Sequence, residues 1–281
     1  MNVSKAVLIT GCSSGIGRAT AERLADVGWK VYATARDVES IAPLEGRGCR
    51  LLSLDVTDED SMRRAVDEVE QRERAVGVLV NNAGYSQSGA VEAVPMEKVR
   101  SQFETNVFGL VRMCQLVLPG MRRQGYGRIV NISSMGGKLT FPGAGHYHAT
   151  KHAVEALSDA LRFEVEGFGI KVSVIEPGLI HTGFANAAVG SMDDSEDGPY
   201  AGFAEAVARA TAENYERGPI SRLAGRPEAV AETIERAISA RSPRSRYAVT
   251  PSAHLFMWLR RLLPDRVWDA VLKTSFPQPG R

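Results

Sequence analysis

The chain has 281 residues, 44% hydrophobic and 24% charged, which is typical of a globular protein and excludes a disordered or fibrous one. A formal net charge of +1 provides no overall field that would attract nucleic acid or an acidic membrane. The three cysteines show neither a pairing pattern nor metal-ligand spacing, which predicts a reducing, cytoplasmic compartment. No apolar stretch approaches the ~20 residues that a membrane helix needs.

Short β-branched runs alternate with segments whose apolar residues recur every three or four positions. The predicted strands cover 6–10, 30–34, 50–54, 76–80, 127–132, 171–176 and 246–250. Helical spacing is clearest over 61–72 and 152–168. Because the strands are almost wholly apolar and helices separate them, a parallel sheet covered on both faces is favoured. We predict a single α/β domain over 1–250, a Rossmann-type, doubly wound, mostly parallel sheet of seven strands.

The first predicted strand runs directly into a glycine-rich turn that opens a helix. Gly11, Gly15 and Gly17 have the spacing Gly-x-x-x-Gly-x-Gly. Glycines let the backbone approach a pyrophosphate, and the helix start offers unpaired N–H groups and a positive dipole end. A tight strand-to-helix turn without a ligand is the alternative. The position of the turn at the first βα junction favours dinucleotide binding.

Further motifs follow the glycine turn in a fixed order along the chain. They are "NNAG" at 81–84, "NVFG" from Asn106, "NISS" ending at Ser134, Tyr147-x-x-x-Lys151 beginning 13 residues after that serine, and "PGLIHT" at 177–182. Together with the glycine turn they resemble the short-chain dehydrogenase/reductase family over residues 5 to 250. Stretches that bind the cofactor look like the steroid and retinol dehydrogenases of that family, but they bear little on the substrate.

The resemblance implies both a catalytic set and a cofactor-binding set. The catalytic residues that it implies are Asn106, Ser134, Tyr147 and Lys151. The cofactor-binding residues are Gly11, Ser13, Ser14, Gly15, Ile16, Gly17, Arg36, Asp55, Val56, Asn82, Ala83, Gly84, Tyr147, Lys151, Pro177, Gly178 and Thr182. In this interpretation the Asp55 side chain meets the adenine amino group beside Val56. The alternative for Asp55 is the cap of the following helix, which Thr57 or Asp58 would serve better.

The end of the second predicted strand bears on which nicotinamide nucleotide binds. Members selective for NAD carry an acidic residue there, which accepts hydrogen bonds from the adenine ribose. This chain has Ala35 followed by Arg36. A guanidinium can bind a 2′-phosphate through a bidentate, charge-assisted fork, so NADP(H) is predicted in preference to NAD(H). A surface ion pair of Arg36 with Asp37 or Glu39 is the alternative.

The spacing of Tyr147 and Lys151 at the start of a predicted helix places both side chains on one face. A tyrosine of ordinary pKa, about 10, carries protons poorly at neutral pH. A nearby ammonium and the charged nicotinamide ring are expected to lower the pKa of Tyr147. We expect Tyr147 to transfer the proton and Ser134 to hydrogen-bond the reacting oxygen. The resemblance adds that Lys151 contacts the nicotinamide ribose and that Asn106 holds a water. An ordinary amphipathic pair is the alternative.

Histidines flank this tyrosine and offer a competing interpretation. His148 and His152 have the i, i+4 spacing of metal ligands on a helix, but no third ligand has matching spacing, so no metal site is predicted. His148 is expected to face away from the nicotinamide. His146 and His181 are expected near the pocket without a role in the chemistry.

Two segments depart from the strand–helix alternation. Residues 183–222 form a long excursion after the sixth strand, which predicts a substrate lid. Apolar residues of the predicted pocket walls favour a hydrophobic ketone or secondary alcohol. They are Phe141, Pro142, Leu179, Phe184, Tyr200 and Phe203. Residues 251–281 are a predicted amphipathic extension that packs on the same domain or on a partner; a peripheral membrane contact and a cap over the substrate are alternatives.

The resulting prediction is an NADP(H)-dependent oxidoreductase that interconverts a ketone or aldehyde and an alcohol on an apolar small molecule. The resemblance implies a homodimer or homotetramer built through the segments 96–122 and 145–168. Alternatives are an NAD-dependent alcohol dehydrogenase of the same family and a redox-sensing nucleotide-binding protein without turnover. A sugar-nucleotide epimerase is disfavoured, because that group has a different glycine spacing and a larger C-terminal domain.

Overall fold

The computed structural model describes residues 3–192, 198–276 and 278–279. Its seven strands are β1 (Val7–Ile9), β2 (Val31–Ala35), β3 (Arg50–Ser53), β4 (Val78–Asn81), β5 (Gly127–Ile132), β6 (Ile170–Glu176) and β7 (Arg246–Ala248). Each begins and ends within two residues of the predicted strand. The prediction of strands is therefore confirmed.

All seven strands belong to one sheet, in the order β3-β2-β1-β4-β5-β6-β7. Every neighbouring pair is parallel, so the sheet is parallel throughout rather than mostly. The strand order reverses direction at β1, which lies between β2 and β4. Ligands of such sheets bind outside the carboxyl ends of the strands at this switch point. The Rossmann-type fold in a single α/β domain is confirmed.

Ten α-helices surround the sheet in the described part of the chain. They are α1 (Gly15–Asp26), α2 (Glu59–Glu73), α3 (Met96–Phe103), α4 (Gly109–Gln124), α5 (Gly145–Val165), α6 (Phe184–Gly190), α7 (Ala201–Ala212), α8 (Pro227–Ser239), α9 (Pro251–Leu262) and α10 (Asp265–Ser275). A π-helical turn at Glu104–Phe108 joins α3 to α4 without a break. No helix among the described residues is long and apolar enough to cross a membrane.

Alternate residues of the inner strands β1, β2 and β4 enter two separate hydrophobic cores. In β1, Leu8 packs in one core with Met113 of α4, whereas Val7 and Ile9 pack in the other with Leu24 of α1. Successive strand side chains point to opposite faces, so a sheet covered on both sides needs apolar residues at every position. This explains why the strands appear in the sequence as continuous apolar runs.

The predicted lid contains α6 and α7, and its acidic stretch 193–197 lies outside the described residues. The chain returns to the sheet through a parallel bridge between Ile180 and Gly225. There the Gly225 N–H donates to the Leu179 carbonyl at 2.9 Å, and the His181 N–H donates to the Gly225 carbonyl at 2.9 Å. The excursion thus begins and ends at the same place on the sheet edge.

The described part of the C-terminal extension packs on its own domain. Trp268 of α10 is 5% exposed, and its ring lies 6.1 Å from the ring of Phe141. Phe256 of α9 also meets Phe141, with 5.8 Å between ring centroids. Both helices therefore cover the loop that leads into α5.

Candidate active site

The glycine turn follows β1 and adopts a backbone that side chains rarely allow. Gly11 and Gly15 have φ angles of +72° and +57°, in the left-handed region that favours glycine. Ser14 is the N-cap of α1, and its side chain makes no capping hydrogen bond. The N–H groups at the start of α1 therefore remain available to an anion.

Gly17 packs against the turn with no room for a side chain. A Cβ at this position would overlap the Gly11 carbonyl oxygen and the Asn82 amide. The Asn82 Nδ2 donates to the carbonyls of Thr10 and Gly11, each at 2.9 Å, and so braces the turn from β4. A backbone that approaches this closely and presents free N–H groups fits the pyrophosphate of a dinucleotide.

Arg36 comes directly after β2 and is exposed. Within the described ranges its guanidinium has no hydrogen bond or ion pair. The alternative ion pair with Asp37 or Glu39 is not formed, and Asp37 instead accepts a hydrogen bond from the Glu39 N–H at 3.1 Å. A free guanidinium at the carboxyl end of β2 is available for a ligand.

Asp55 lies in the turn after β3, two residues beyond the strand rather than the predicted one. Its Oδ1 accepts hydrogen bonds from the Thr57 N–H at 2.9 Å and the Thr57 hydroxyl at 2.7 Å. Asp58 caps α2, where it accepts from the backbone of Asp60 and Ser61. The alternative that Asp55 caps the helix is therefore wrong.

Ser134 and Tyr147 come from the loop after β5 and from the first turn of α5. The Gly136 N–H donates to the Ser134 Oγ at 3.0 Å, which fixes the hydroxyl. Burial raises the pKa of Tyr147 above its ordinary range, and a hydrogen bond with Ser134 opposes part of that rise. Within the chain, the loss of hydration therefore outweighs the neighbouring groups, and the lowering expected from Lys151 together with a bound nicotinamide stays a prediction.

Lys151 is 6% exposed and lies one turn after Tyr147 on α5. Its Nζ donates to the Ile132 carbonyl at 2.8 Å and lies 5.7 Å from the centroid of the Tyr147 ring. Burial lowers the pKa of Lys151 to about 8, while the charge of Glu155 raises it. The two residues thus share one helix face as the spacing predicts.

Asn106 lies in the π-helical turn and connects three segments of the site. Its Oδ1 accepts from the Tyr85 N–H at 3.0 Å, and its Nδ2 donates to the Tyr85 carbonyl at 2.9 Å and to the Thr150 hydroxyl at 3.1 Å. Single π-helical turns inside α-helices are frequent at functional sites. Gly84 passes close by, because a Cβ there would lie 3.0 Å from the Asn106 Oδ1 and 3.8 Å from the Lys151 Nζ.

The segment 177–182 runs from β6 toward the glycine turn. The Met135 N–H donates to the Pro177 carbonyl at 2.8 Å, which joins this segment to the Ser134 loop. A Cβ on Gly15 would lie 3.5 Å from the Thr182 methyl group. The structure therefore brings the predicted cofactor-binding segments to one edge of the sheet.

The histidines lie beside the site but do not form a metal centre. His148 is buried, its Nδ1 accepts from the Phe141 N–H at 3.2 Å, and burial lowers its pKa to about 4, so it is neutral near pH 7. His152 is exposed, and its Nδ1 is 2.9 Å from the His148 carbonyl. Nowhere in 3–192, 198–276 and 278–279 do three metal-ligating side chains cluster.

The lid contacts the tyrosine directly. The ring of Phe184 lies 5.5 Å from that of Tyr147, and Tyr215 packs with Met135 and Leu179 in a small apolar cluster. A cavity of about 460 Å³ lies beside the lid, between α7 and α10. Its walls include Pro142, Tyr200 and Phe203 of the predicted pocket, but Phe141, Leu179, Phe184, Ser134, Tyr147 and Lys151 are not among its lining residues, so the substrate pocket stays a prediction.

The family model described as short chain dehydrogenase matches residues 5–192. This chain belongs to the short-chain dehydrogenase family. It is an oxidoreductase that acts on CH–OH groups with a nicotinamide nucleotide, as similar proteins of the family do. Its sequence-based assignment to this family is confirmed.

Several known proteins are similar to this short-chain dehydrogenase over most of its length. An NADPH-dependent 3-dehydrocapnine reductase from Ornithobacterium rhinotracheale is 34% identical over 273 residues, covering 94% of each chain. A 3-ketodihydrosphingosine reductase from Bacteroides thetaiotaomicron is 45% identical over 181 residues, covering 64% of this chain and 65% of that one. The crystal structure of a short-chain dehydrogenase from Streptomyces avermitilis superposes with a TM-score of 0.77 at 36% identity, covering 96% and 95% of the two chains.

Several residues of the short-chain dehydrogenase site carried no signal in the sequence. Thr250 and Ser252 enclose Gly178, and the Leu179 N–H donates to the Ser252 Oγ at 3.0 Å. Thr150, which binds Asn106, lies between the motif residues Tyr147 and Lys151 but was not singled out. A hydroxyl of this kind becomes significant only when the fold shows what it touches.

Proposed function

We propose that this chain is an NADPH-dependent reductase of a ketone carried by an apolar, long-chain small molecule. The observation that carries the proposal is the meeting of Ser134, Tyr147 and Lys151 at the carboxyl edge of the sheet, beneath an apolar lid. Asn106 lies next to the same helix. A pure nucleotide sensor has no need of a proton donor, an oxyanion partner and a buried lysine together.

The preference for NADPH rests on the end of β2. Arg36 is exposed and unpaired there within the described chain, and Ala35 provides no carboxylate that would repel a 2′-phosphate. Ser13 and Ser14 are exposed in the adjoining glycine turn and offer hydroxyls to the same nucleotide. The name of the similar 3-dehydrocapnine reductase also specifies NADPH.

The chemistry divides between the cofactor and the chain. When bound, NADPH supplies the hydride that reduces the carbonyl carbon. Tyr147 donates its phenolic proton to the carbonyl oxygen, and Ser134 hydrogen-bonds that oxygen and holds it in place. The raised pKa of Tyr147 keeps its proton in place before reaction, and the Lys151 ammonium stabilises the phenolate that forms when the proton has left. The Asn106 amide ties Tyr85 to α5, and we propose, as the family resemblance implies, that Asn106 also holds the water that returns a proton.

The proposed substrate is apolar because of what encloses the site. Phe184 meets the Tyr147 ring, and Tyr215, Met135 and Leu179 form an apolar cluster beside it. The adjoining cavity, about 460 Å³, has the size that small-molecule sites usually have. The names of two similar enzymes, 3-ketodihydrosphingosine reductase and 3-dehydrocapnine reductase, suggest the ketone of a long-chain amino lipid.

We further propose that 183–222 acts as the substrate lid and that the chain forms a homodimer or homotetramer. The contact between Phe184 and Tyr147 supports the lid. Exposed aromatic side chains support the oligomer, because Phe163 on α5 is 86% exposed and Phe108 at the end of the π-helical turn is 54% exposed. The cysteines are free and buried, which supports a reducing cytoplasmic compartment.

A spectrophotometric assay of NADPH oxidation tests the proposal. The panel would contain 3-ketodihydrosphingosine, a steroid ketone, a short aliphatic ketone and a ketose, each with NADPH and with NADH. We expect the highest kcat/KM with NADPH and the long-chain ketone. A preference for the ketose would contradict the apolar substrate, and tight NADPH binding without turnover across the panel would favour the sensor.

A further inference from the structure

Two buried carboxyl groups lie behind the catalytic loop, and the chemistry proposed above does not use them. Glu155 of α5 and Glu176 at the end of β6 are each 4% exposed. Lys138 Nζ lies 2.8 Å from a Glu155 oxygen and 3.8 Å from a Glu176 oxygen. Arg246 Nε lies 2.9 Å and 3.5 Å from the same two carboxyls. The four side chains therefore form one cluster.

The cluster joins the elements that carry the site. Lys138 closes the loop that holds Ser134, Glu155 lies one helical turn after Lys151, Glu176 directly precedes Pro177, and Arg246 begins β7. A Cβ on Gly137 would lie 2.9 Å from the Glu155 Cγ, so the catalytic loop lies directly on this carboxyl. A change of charge within the cluster would therefore be felt at the catalytic lysine and at the loop.

Both cations lie closer to Glu155 than to Glu176, which leaves Glu176 without a close ion pair. Arg246 also pairs through its Nη2 with Asp159, at 2.6 Å, so its charge is divided. Glu155 Oε1 and Glu176 Oε1 are both buried without a hydrogen-bond partner. Two adjacent ionised carboxylates repel each other, and an unpaired buried one is costly, so a retained proton relieves both conditions. Burial and the charge of Glu155 raise the pKa of Glu176, more than Lys138 and Arg246 lower it.

We propose that Glu155 is the buried counter-charge that keeps Lys151 protonated, and that Glu176 holds a proton beside it so that the pair carries one negative charge. The charged and titratable groups that face the pair are Lys138 on the loop, Lys151, Asp159 and its partner Arg162 on α5, and Arg246 on β7. Both glutamates are positioning residues, because neither touches the reacting atoms. The inference rests on the proposed function, which makes Lys151 the cationic partner of Tyr147.

The effect on Lys151 follows from its burial. An ammonium removed from water tends to lose its proton, and the pKa of Lys151 is accordingly lowered to about 8. The charge of Glu155 opposes this loss from the same helix. Were Glu176 to ionise as well, its charge would face only Arg246 at 3.5 Å and Lys138 at 3.8 Å, both of which lie closer to Glu155. With the proton on Glu176, Glu155 supplies the negative charge that keeps Lys151 protonated, and no second carboxylate is ionised in the core.

Thermal unfolding of Glu176→Gln tests the proton on Glu176 without any substrate. The amide copies the size and neutrality of a protonated carboxyl. The pKa of Glu176 is higher in the folded state than in the unfolded state. Its contribution to the stability of the wild type is therefore fully present below the pKa of an ordinary carboxyl group. That contribution is lost as the pH rises from there through neutrality. We expect equal Tm values near about pH 5 and a Tm about 2–4 °C higher for Glu176→Gln near about pH 8.5. A variant that is less stable at alkaline pH would show an ionised Glu176 and overturn the proposal.

The pH dependence of kcat/KM in Glu155→Gln tests the counter-charge. We expect its alkaline limb to move toward acid by about one pH unit, because Lys151 loses its proton more easily. Glu155→Asp keeps the charge and should restore the limb. A uniform loss of activity at every pH would show a structural role and overturn this part. If the wild type lacks ketone reductase activity, the proposed function fails, whereas the unfolding result with Glu176→Gln still decides the shared proton.

Discussion

The cofactor side and the substrate side of this enzyme are held in place by different means. On the cofactor side the backbone itself is constrained, since Gly11 has a left-handed φ of +72° and Gly17 has no space for a Cβ. Asn82 then ties the turn to β4 through two backbone carbonyls. A side chain added at Gly17 would have to displace the main chain of Gly11, which costs more free energy than the movement of a flexible side chain.

On the substrate side, individual side-chain hydrogen bonds and apolar contacts hold the described part of the lid. The Ser88 N–H donates to the Ser191 Oγ at 2.9 Å, and the Tyr200 hydroxyl donates to Glu92 at 2.6 Å in an exposed position. Such hydrogen bonds contribute about 0.5–1.5 kcal/mol each, which is less than the cost of about 1–3 kcal/mol of forcing a new side chain into a closely packed backbone. We therefore expect nucleotide binding to tolerate few substitutions on the cofactor side, and the lid to tolerate more of them.

Tyr147 lies where the two sides meet, and its replacement should have the largest effect. We expect Tyr147→Phe to lower kcat by about 10²–10⁴-fold, because the proton donor is lost. The dissociation constant for NADPH, measured by fluorescence titration, should stay within about threefold, since the glycine turn is untouched. Near-normal turnover would exclude Tyr147 as the proton donor.

Gly17→Ala tests whether steric constraint controls the cofactor side. The new methyl group would overlap Gly11 and Asn82, and we expect NADPH binding to weaken at least about tenfold and stability to fall by about 1–3 kcal/mol. Gly46→Ala is the matched control, because no atom lies within 4 Å of a Cβ there. Fluorescence titration measures NADPH binding, and urea unfolding measures stability. Equal values for the two variants would show that steric constraint does not control the cofactor side.

Arg36→Ala sharpens the comparison at the adenine end. We expect kcat/KM with NADPH to fall about 10–100-fold, since a charge-assisted hydrogen bond contributes about 1.5–3 kcal/mol. The value with NADH should change little, because that cofactor has no 2′-phosphate. Arg47→Ala controls for general charge, as Arg47 is an exposed arginine paired with Asp26. Equal losses with both nucleotides would contradict the assignment of Arg36.

Tyr200→Phe should have the smallest effect, because it removes one exposed hydrogen bond from the lid. We expect KM for the ketone to rise about two- to tenfold with kcat nearly unchanged. Arg209→Ala, which breaks an exposed ion pair on the same helix, is the control and should leave KM unchanged. A loss as large as that of Arg36→Ala would show that the lid is as tightly specified as the cofactor side.

The cofactor side was largely predictable from the sequence because its requirements are local. A buried parallel strand needs an apolar run, and the turn that follows needs glycine at Gly11, Gly15 and Gly17, so both leave a direct pattern. The positions of Ser134, Tyr147 and Lys151 were predicted through the resemblance to the family, from the order and spacing of its motifs. The contact of Gly17 with the distant Asn82 became visible only in the fold.

What the sequence did not show depends on burial and on long-range contacts. The pKa of Tyr147 is raised because the fold takes its hydroxyl out of water, which spacing alone does not reveal. Glu155 and Glu176 belong to different elements, and only the packing of α5 against β6 makes them a pair. The cavity beside the lid has walls from α10 and from the loop before α5, which are far apart in the sequence, so no local pattern predicts it.

The contact of Ser252 with the segment after β6 bears on where the C-terminal extension can be removed or exchanged. Thr250 and Ser252 belong to the C-terminal extension or its edge, yet their hydroxyls enclose Gly178 and bind Leu179. A chain shortened after Val249 would keep every family motif but would lose the hydroxyl groups of Thr250 and Ser252 that contact this segment. Exchange of the extension between relatives would therefore transplant part of the binding site together with a surface helix.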